Sequence, residues 1–250
     1  MRSILTKLAV LAAMLLGLPM LGVWLAGLPV DRYMAFPPEG RYVAHAPFSP
    51  AAFVLYALFI AAVAGPLLWR GLRTAGRARP RRPAGRFPLW AWAALVCCGV
   101  CWVLAWTRFS FFAPLQAHTF FPLWLSFILT VNALDVKISG DSLLTARPGF
   151  FCALFPASAG FWWFFEYLNR FVQNWFYSGA QYGPWTYFLL ASLSFSTVLP
   201  AVLSIRRLLS HLPRLTAGFA GFFPVSFRRP KRIAAAVLAL VGLGGVFGAV

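Results

Sequence analysis

The stretch FWWFFEYLNRFVQNWFYSG, residues 161–179, holds Glu166, one of only five acidic residues in a chain of 250. Glu166, Asn169, Arg170 and Gln173 are spaced i, i+3, i+4 and i+7, so a continuing helix places all four on one face. Tyr177 extends that face if the helix persists, and Trp162 and Trp163 cover the turn below the carboxyl group. A carboxylic acid in such an aromatic cup is a candidate proton donor or polar anchor. Asn169, Arg170 and Gln173 would then position a substrate, while Trp162, Trp163 and Trp175 shelter positive charge by cation–π attraction. A plainer reading fits the same residues. Glu166 and Arg170 would pair at i,i+4 at an interfacial helix end, with the Trp and Tyr side chains forming an aromatic belt.

A weaker candidate lies in ILTVNALDVKISGDSLL, residues 128–144. Asn132 and Asp135 share a face there, and Asp135 is expected to pair with Lys137 or to reach toward water. The SGDSLL segment reads as a tight turn in which Asp141 or Ser142 caps a short helix. Ser192, Ser196, Pro200 and Ser204 recur at steps of four, a pattern that suits close helix packing and, as an alternative, a polar passage. No metal or cofactor site is suggested. His45, His118 and His211 are scattered, and phosphate-loop, dinucleotide, HExxH and GxSxG motifs are absent. Cys97, Cys98, Cys101 and Cys152 lie in apolar blocks and read as packing residues.

The elements that must carry these residues are apolar. The chain is 61% hydrophobic and 11% charged, whereas a soluble domain is nearer a quarter charged. Its apolar residues come in blocks of about 20, the length needed to cross a hydrocarbon core of about 30 Å. Seven spans are predicted, at Leu8–Leu28, Ala51–Trp69, Phe87–Thr107, Thr119–Val136, Phe150–Leu168, Trp185–Ile205 and Ile233–Val250. The expected fold is an all-α polytopic transmembrane bundle forming a single domain over residues 1–250. The first run is too long for a signal peptide and lacks a clear cleavage site, so it reads as an uncleaved helix. The last run stops at Val250 without a polar flank, from which further spans beyond it are expected.

Lys and Arg set the expected orientation. With the N-terminus in the cytoplasm, eighteen of the 22 basic residues fall on the inner side and only Arg32, Arg41, Arg108 and Arg170 outside. The +17 net charge therefore follows membrane topology and does not call for nucleic acid. The basic segments 70–86 and 206–232 are expected to be cytoplasmic loops lying against anionic headgroups, the first as a flexible linker and the second as an amphipathic segment.

The block Glu166-x-x-Asn169-x5-Trp175-x-Tyr177, following FFPLWLSFILTVNALD and SLL, resembles a group of uncharacterised bacterial integral membrane proteins. More distantly, an acid at a span end followed by Trp-x-Tyr is similar to lycopene cyclase-type and carotenoid hydratase-type membrane enzymes. The resemblance covers roughly residues 120–204 and implies a bacterial inner-membrane protein. The more distant cyclase and hydratase likeness implies an intramembrane carboxylic acid that protonates a polyene without a metal, with Glu166 the first candidate and Asp135 the second. The paired-acid motif of those cyclases is missing. The expected function is action on a lipid or isoprenoid within the bilayer. Transport of a small solute or ion, and a non-catalytic membrane scaffold, are the alternatives.

Overall fold

The computed structural model describes residues 2–38, 47–75, 84–177, 182–219 and 230–247. Among these the regular structure is entirely helical. The N-terminal helix runs as α1 (Arg2–Ala12), a π-helical turn (Ala13–Gly17) and α2 (Leu18–Leu25), followed by the short α3 (Asp31–Met34). Next come α4 (Pro50–Ala75), α5 (Leu89–Trp106), a 3₁₀ segment (Ser110–His118) and α6 (Phe120–Ser139). Then follow α7 (Leu143–Ala146), α8 (Pro148–Val172), α9 (Pro184–Ser196) and α10 (Val198–Ser210). The chain continues through α11 (Pro213–Thr216), a 3₁₀ turn (Ala217–Phe219) and α12 (Pro230–Phe247).

Six helical stretches are long and apolar enough to cross a membrane: Leu5–Leu25, Pro50–Thr74, Leu89–Trp106, Phe120–Ser139, Pro148–Val172 and Pro184–Ser210. They correspond to the first six expected spans. The seventh run forms α12, which is not counted among the six, and its last residues, 248–250, lie outside the described residues. Helix α4 shows the class most directly. Phe53, Leu55, Tyr56, Leu58, Phe59 and Ile60 are all exposed and occupy every side of the helix. A helix apolar all round needs an apolar surrounding, since water on any face would be costly.

The chain divides into two units. One comprises Met1–Ala44, Trp162–Leu189 and Phe223–Val250, the other His45–Phe161 and Leu190–Phe222. In the second unit α6 packs against α5 and α10, and its core joins Ile128, Leu143, Phe151, Leu154 and Ala201. Asn132 ties this packing together. Its Nδ2 donates to the Ser204 hydroxyl at 2.9 Å and to the Ile128 carbonyl at 2.9 Å, and its Oδ1 accepts from the Leu144 amide at 3.0 Å. The turn after α6 uses Gly140 at φ 94°, a left-handed conformation that glycine adopts without penalty. Ser142, not Asp141, caps α7, in a capping box closed by Thr145.

The sixth expected span is broken. Helices α9 and α10 meet at Thr197, where the buried Ser158 hydroxyl enters the backbone ladder. Its Oγ donates to the Phe195 carbonyl at 2.5 Å and accepts from the Leu199 amide at 3.0 Å, the two groups a straight helix would have paired. Pro200, with no N–H, removes the next bond of the ladder. The stripe Ser192–Ser204 is thus divided between two helices, with Ser196 bonded to the Leu193 carbonyl and Ser204 to Asn132. Pro19, which cannot donate to the Leu15 carbonyl, follows the π-helical turn, and within that turn the Leu16 carbonyl accepts from the Tyr167 hydroxyl at 2.9 Å.

The basic segment expected as a flexible linker begins as helix. Helix α4 continues through Arg70 and Arg73 to Ala75, while 76–83 lie outside the described residues. Arg73 lies over the Trp69 ring, and Arg70 Nε donates to the Gly218 carbonyl at 2.5 Å. The 206–232 segment likewise starts inside α10 and continues through α11, with 220–229 outside the described residues. Gly218 sits so close to α4 that a Cβ would stand 2.7 Å from Gly71 Cα and 2.8 Å from Thr74 Oγ1. Gly218→Ala is therefore expected to cost about 1–3 kcal/mol by forcing two backbones apart. Thermal unfolding of the purified variant checks this, and an unchanged Tm would contradict the contact.

Candidate functional site

The aromatic acid site is built at the C-terminal end of α8. The helix stops at Val172 because Gln173 takes φ 51°, a left-handed conformation that side-chain-bearing residues seldom adopt. Asn169 holds this exit in place. Its Nδ2 donates to the Trp175 carbonyl at 2.8 Å, and its Oδ1 accepts from the amides of Asn174 (2.9 Å) and Trp175 (3.3 Å). The chain is thereby folded back along the helix. That return brings Trp175 and Tyr177 to Glu166, although both lie beyond the helix that was expected to align them.

Glu166 Oε1 accepts from Trp175 Nε1 at 2.8 Å and from the Tyr177 hydroxyl at 2.7 Å. The Tyr177 oxygen in turn accepts from Trp162 Nε1 at 3.2 Å. One carboxylate oxygen thus terminates a chain of indole and phenol donors. Oε2 makes no hydrogen bond among the described residues, and it is not a buried unsatisfied atom, so it reaches the surface of the site. Trp163 turns elsewhere, stacking on Phe188 at 5.2 Å with Tyr187 edge-on at 6.3 Å. Phe188 also meets Phe36 and Trp185, so the start of α9 and the segment after α3 share one aromatic cluster.

Arg170 does not pair with Glu166. Its guanidinium donates to the Tyr33 carbonyl at 2.5 Å, while the Tyr33 ring stacks on Phe171 at 5.0 Å. The reading of Glu166 and Arg170 as an interfacial i,i+4 pair is corrected accordingly. Gln173 is also corrected, from a member of the polar face to the residue that ends the helix. Of the sequence-predicted residues, Glu166, Trp162, Trp175 and Tyr177 converge in one network, Asn169 supports it, and Trp163, Arg170 and Gln173 stand outside it.

Burial, first of all, raises the Tyr177 hydroxyl above the usual tyrosine value; the Glu166 carboxylate adds to the shift and the Trp162 hydrogen bond opposes it. The folded state therefore keeps the phenol proton at pH values where an unfolded tyrosine releases it. The stability this contributes is present below about pH 10 and lost as pH rises through the folded value. Ultraviolet titration is expected to give wild type and Tyr177→Phe the same amplitude near pH 10, because Tyr177 takes no part in that transition. Full ionisation of Tyr177 with the exposed tyrosines would contradict the network.

A second polar cluster lies in the other unit, around Asp135. The side chain is 2% exposed, and its expected partner Lys137 is not bound to it. Asp135 Oδ2 accepts from Arg207 Nε at 2.8 Å, and Oδ1 meets His211 Nδ1 at 2.7 Å and the Ser139 hydroxyl at 3.3 Å. Arg207 Nη2 reaches Asp141 Oδ1 at 2.5 Å. The correction has a physical reason: Lys137 lies two residues along the helix, on a different face, and stays exposed. Arg207 and His211 had one sequence signal in their favour. A carboxylate buried this fully on an apolar helix requires a cationic partner from elsewhere in the fold. No cluster of three or more metal-ligating side chains occurs among the described residues.

Six apolar helices long enough to cross the bilayer, with polar side chains turned into hydrogen-bonded networks, make this a multi-pass helical membrane protein. Comparison with family models, with curated proteins and with solved structures gives no match to the chain.

Proposed function

We propose that the protein acts on a lipid or isoprenoid from within the bilayer, with Glu166 as proton donor or polar anchor. The observation that carries this reading is the asymmetry of the carboxyl group. Oε1 is fixed by Trp175 and Tyr177, while Oε2 is open. A fixed acid with one unengaged oxygen amid aromatic rings suits protonation of a carbon–carbon double bond. The aromatic faces would stabilise the carbocation that results. The proton passes from Glu166 to one alkene carbon. The cation then loses a neighbouring proton to give an isomer or ring, or takes up water to give an alcohol. Substrate carbon is neither oxidised nor reduced overall, so no redox partner is required.

The Glu-x-x-Asn…Trp-x-Tyr block supports the same reading, since Asn169, Trp175 and Tyr177 are the residues that build the network around the acid. Placement in a bacterial inner membrane with a cytoplasmic N-terminus follows from the basic residues and the family resemblance. A reporter enzyme fused to the N-terminus tests that orientation directly. The transport reading draws less support, because Asp135 is closed by Arg207 and His211 and Ser204 is taken by Asn132.

The deciding experiment incubates protein in nanodiscs with polyene and polyprenyl lipids in deuterium oxide, followed by mass spectrometry. Wild type is expected to place solvent deuterium on carbon, and Glu166→Gln is expected not to. Equal incorporation by the two proteins would remove Glu166 from the chemistry.

A further inference from the structure

We infer that Arg207 and His211 form a binding site for a phosphate monoester group at the membrane boundary, presented by the buried carboxylate of Asp135. This inference uses residues distinct from the Glu166 network and rests only on the membrane-spanning class of the fold.

The cluster stands at the ends of two candidate spans. Asp135 lies one turn before the end of α6, and His211 follows directly on the last residue of α10. Span ends are where hydrocarbon gives way to headgroups. Asp135 grips both side chains at once, Arg207 through Oδ2 and His211 through Oδ1, so the two are held side by side. Each spends only part of its hydrogen-bonding capacity in doing so. Arg207 uses Nε on Asp135 and Nη2 on Asp141, which leaves Nη1 without a protein partner among the described residues. His211 uses Nδ1 on Asp135, which leaves Nε2 likewise.

Neither atom is sealed from solvent. Among the described residues the buried side-chain polar atom lacking a partner is Gln116 Oε1, and the Arg207 and His211 side chains are 27% and 22% exposed. The Asp135 carboxylate holds the imidazole and the guanidinium side by side, with Arg207 Nη1 and His211 Nε2 left unengaged among the described residues. A phosphate monoester would accept from Nη1 and share one proton with Nε2, carried by either the imidazole or a phosphate hydroxyl, and so complete both side chains.

The stretches of chain that carry the cluster are net basic. Lys137 on α6, Arg147 after α7, Arg206 on α10 and Arg214 on α11 border the cluster in the chain, against the carboxylates of Asp135 and Asp141. Asp141 is the opposing feature, because it occupies the third guanidinium nitrogen. It also provides a test, since replacing it with asparagine removes a negative charge that competes with the anion.

The test uses full-length protein in detergent and follows Tm against added dihexanoyl phosphatidic acid, inorganic phosphate or dihexanoyl phosphatidylcholine. The phosphatidic acid is expected to raise Tm by several degrees and the zwitterionic lipid to have little effect. A comparable rise with inorganic phosphate would identify free phosphate as the ligand source; a rise confined to the lipid would identify a headgroup. His211→Asn keeps a nitrogen where Nδ1 meets Asp135 but removes Nε2, so half-saturation should need roughly tenfold more ligand. Asp141→Asn, at a 54% exposed side chain, should instead tighten binding several-fold. A wild type that does not respond, or an equal response to phosphatidylcholine, would overturn the site. So would half-saturation unchanged in Asp141→Asn and, where it folds, in His211→Asn.

Discussion

Replacing Asp135 with alanine is expected to lower stability by about 3 kcal/mol, toward the lower end of the cost of breaking a buried ion pair. The carboxylate is fully enclosed, and its loss strands Arg207 and His211 opposite an empty space. Arg207 retains Asp141 and some contact with water, which limits the penalty. Asp135→Asn, which can still accept from one cation, should lose less, about 1–2 kcal/mol. Lys137→Ala should change stability by no more than about 0.5 kcal/mol, as a surface residue outside the network. Denaturant unfolding in mixed micelles measures all three variants. A double-mutant cycle joining Asp135→Ala and Arg207→Ala should return a coupling of about 0.5–3 kcal/mol. Equal losses for Asp135→Ala and Lys137→Ala would restore the neighbouring lysine as the partner.

Glu166→Gln is expected to reduce turnover by about 10²- to 10⁴-fold, the usual contribution of a positioned acid. Its effect on folding should be small. The amide oxygen of glutamine accepts from Trp175 and Tyr177 as the carboxylate does, so the donor chain from Trp162 stays in place. Glu166→Ala removes the acceptor as well and should cost about 1–3 kcal/mol through two stranded donors. Activity measured beside Tm separates the two roles. A fully active Gln variant with an unstable Ala variant would make Glu166 a fastening for the chain that follows α8, and the enzyme reading would fall.

Asn169 shows how far the i, i+3, i+4 spacing carried. Spacing placed it beside Glu166, which is correct, but its function is to fasten the chain that leaves the helix. The same spacing assigned Gln173 and Tyr177 to a continuing face, and it failed there because the helix ends one residue before Gln173. Tyr177 reaches the acid regardless, by the returning chain. Arg170 illustrates the opposite error. Helical spacing offered Glu166 as its partner, yet a backbone carbonyl from the segment of Tyr33, far away in sequence, took the guanidinium.

What the sequence determined by itself was the class: helices of membrane-crossing length, their approximate limits, the acid-centred aromatic block and a capped turn at Asp141 or Ser142. These follow from local composition and short-range spacing, because a hydrocarbon surrounding permits only helices whose backbone bonds close within each segment. The tertiary structure alone decided the partners. Arg207 and His211 on Asp135, Ser158 in the break between α9 and α10, and Tyr33 on Arg170 all join positions between 37 and 137 residues apart. A buried polar group is costly without a partner, but which one it meets depends on how the helices pack, and helical periodicity carries no record of that.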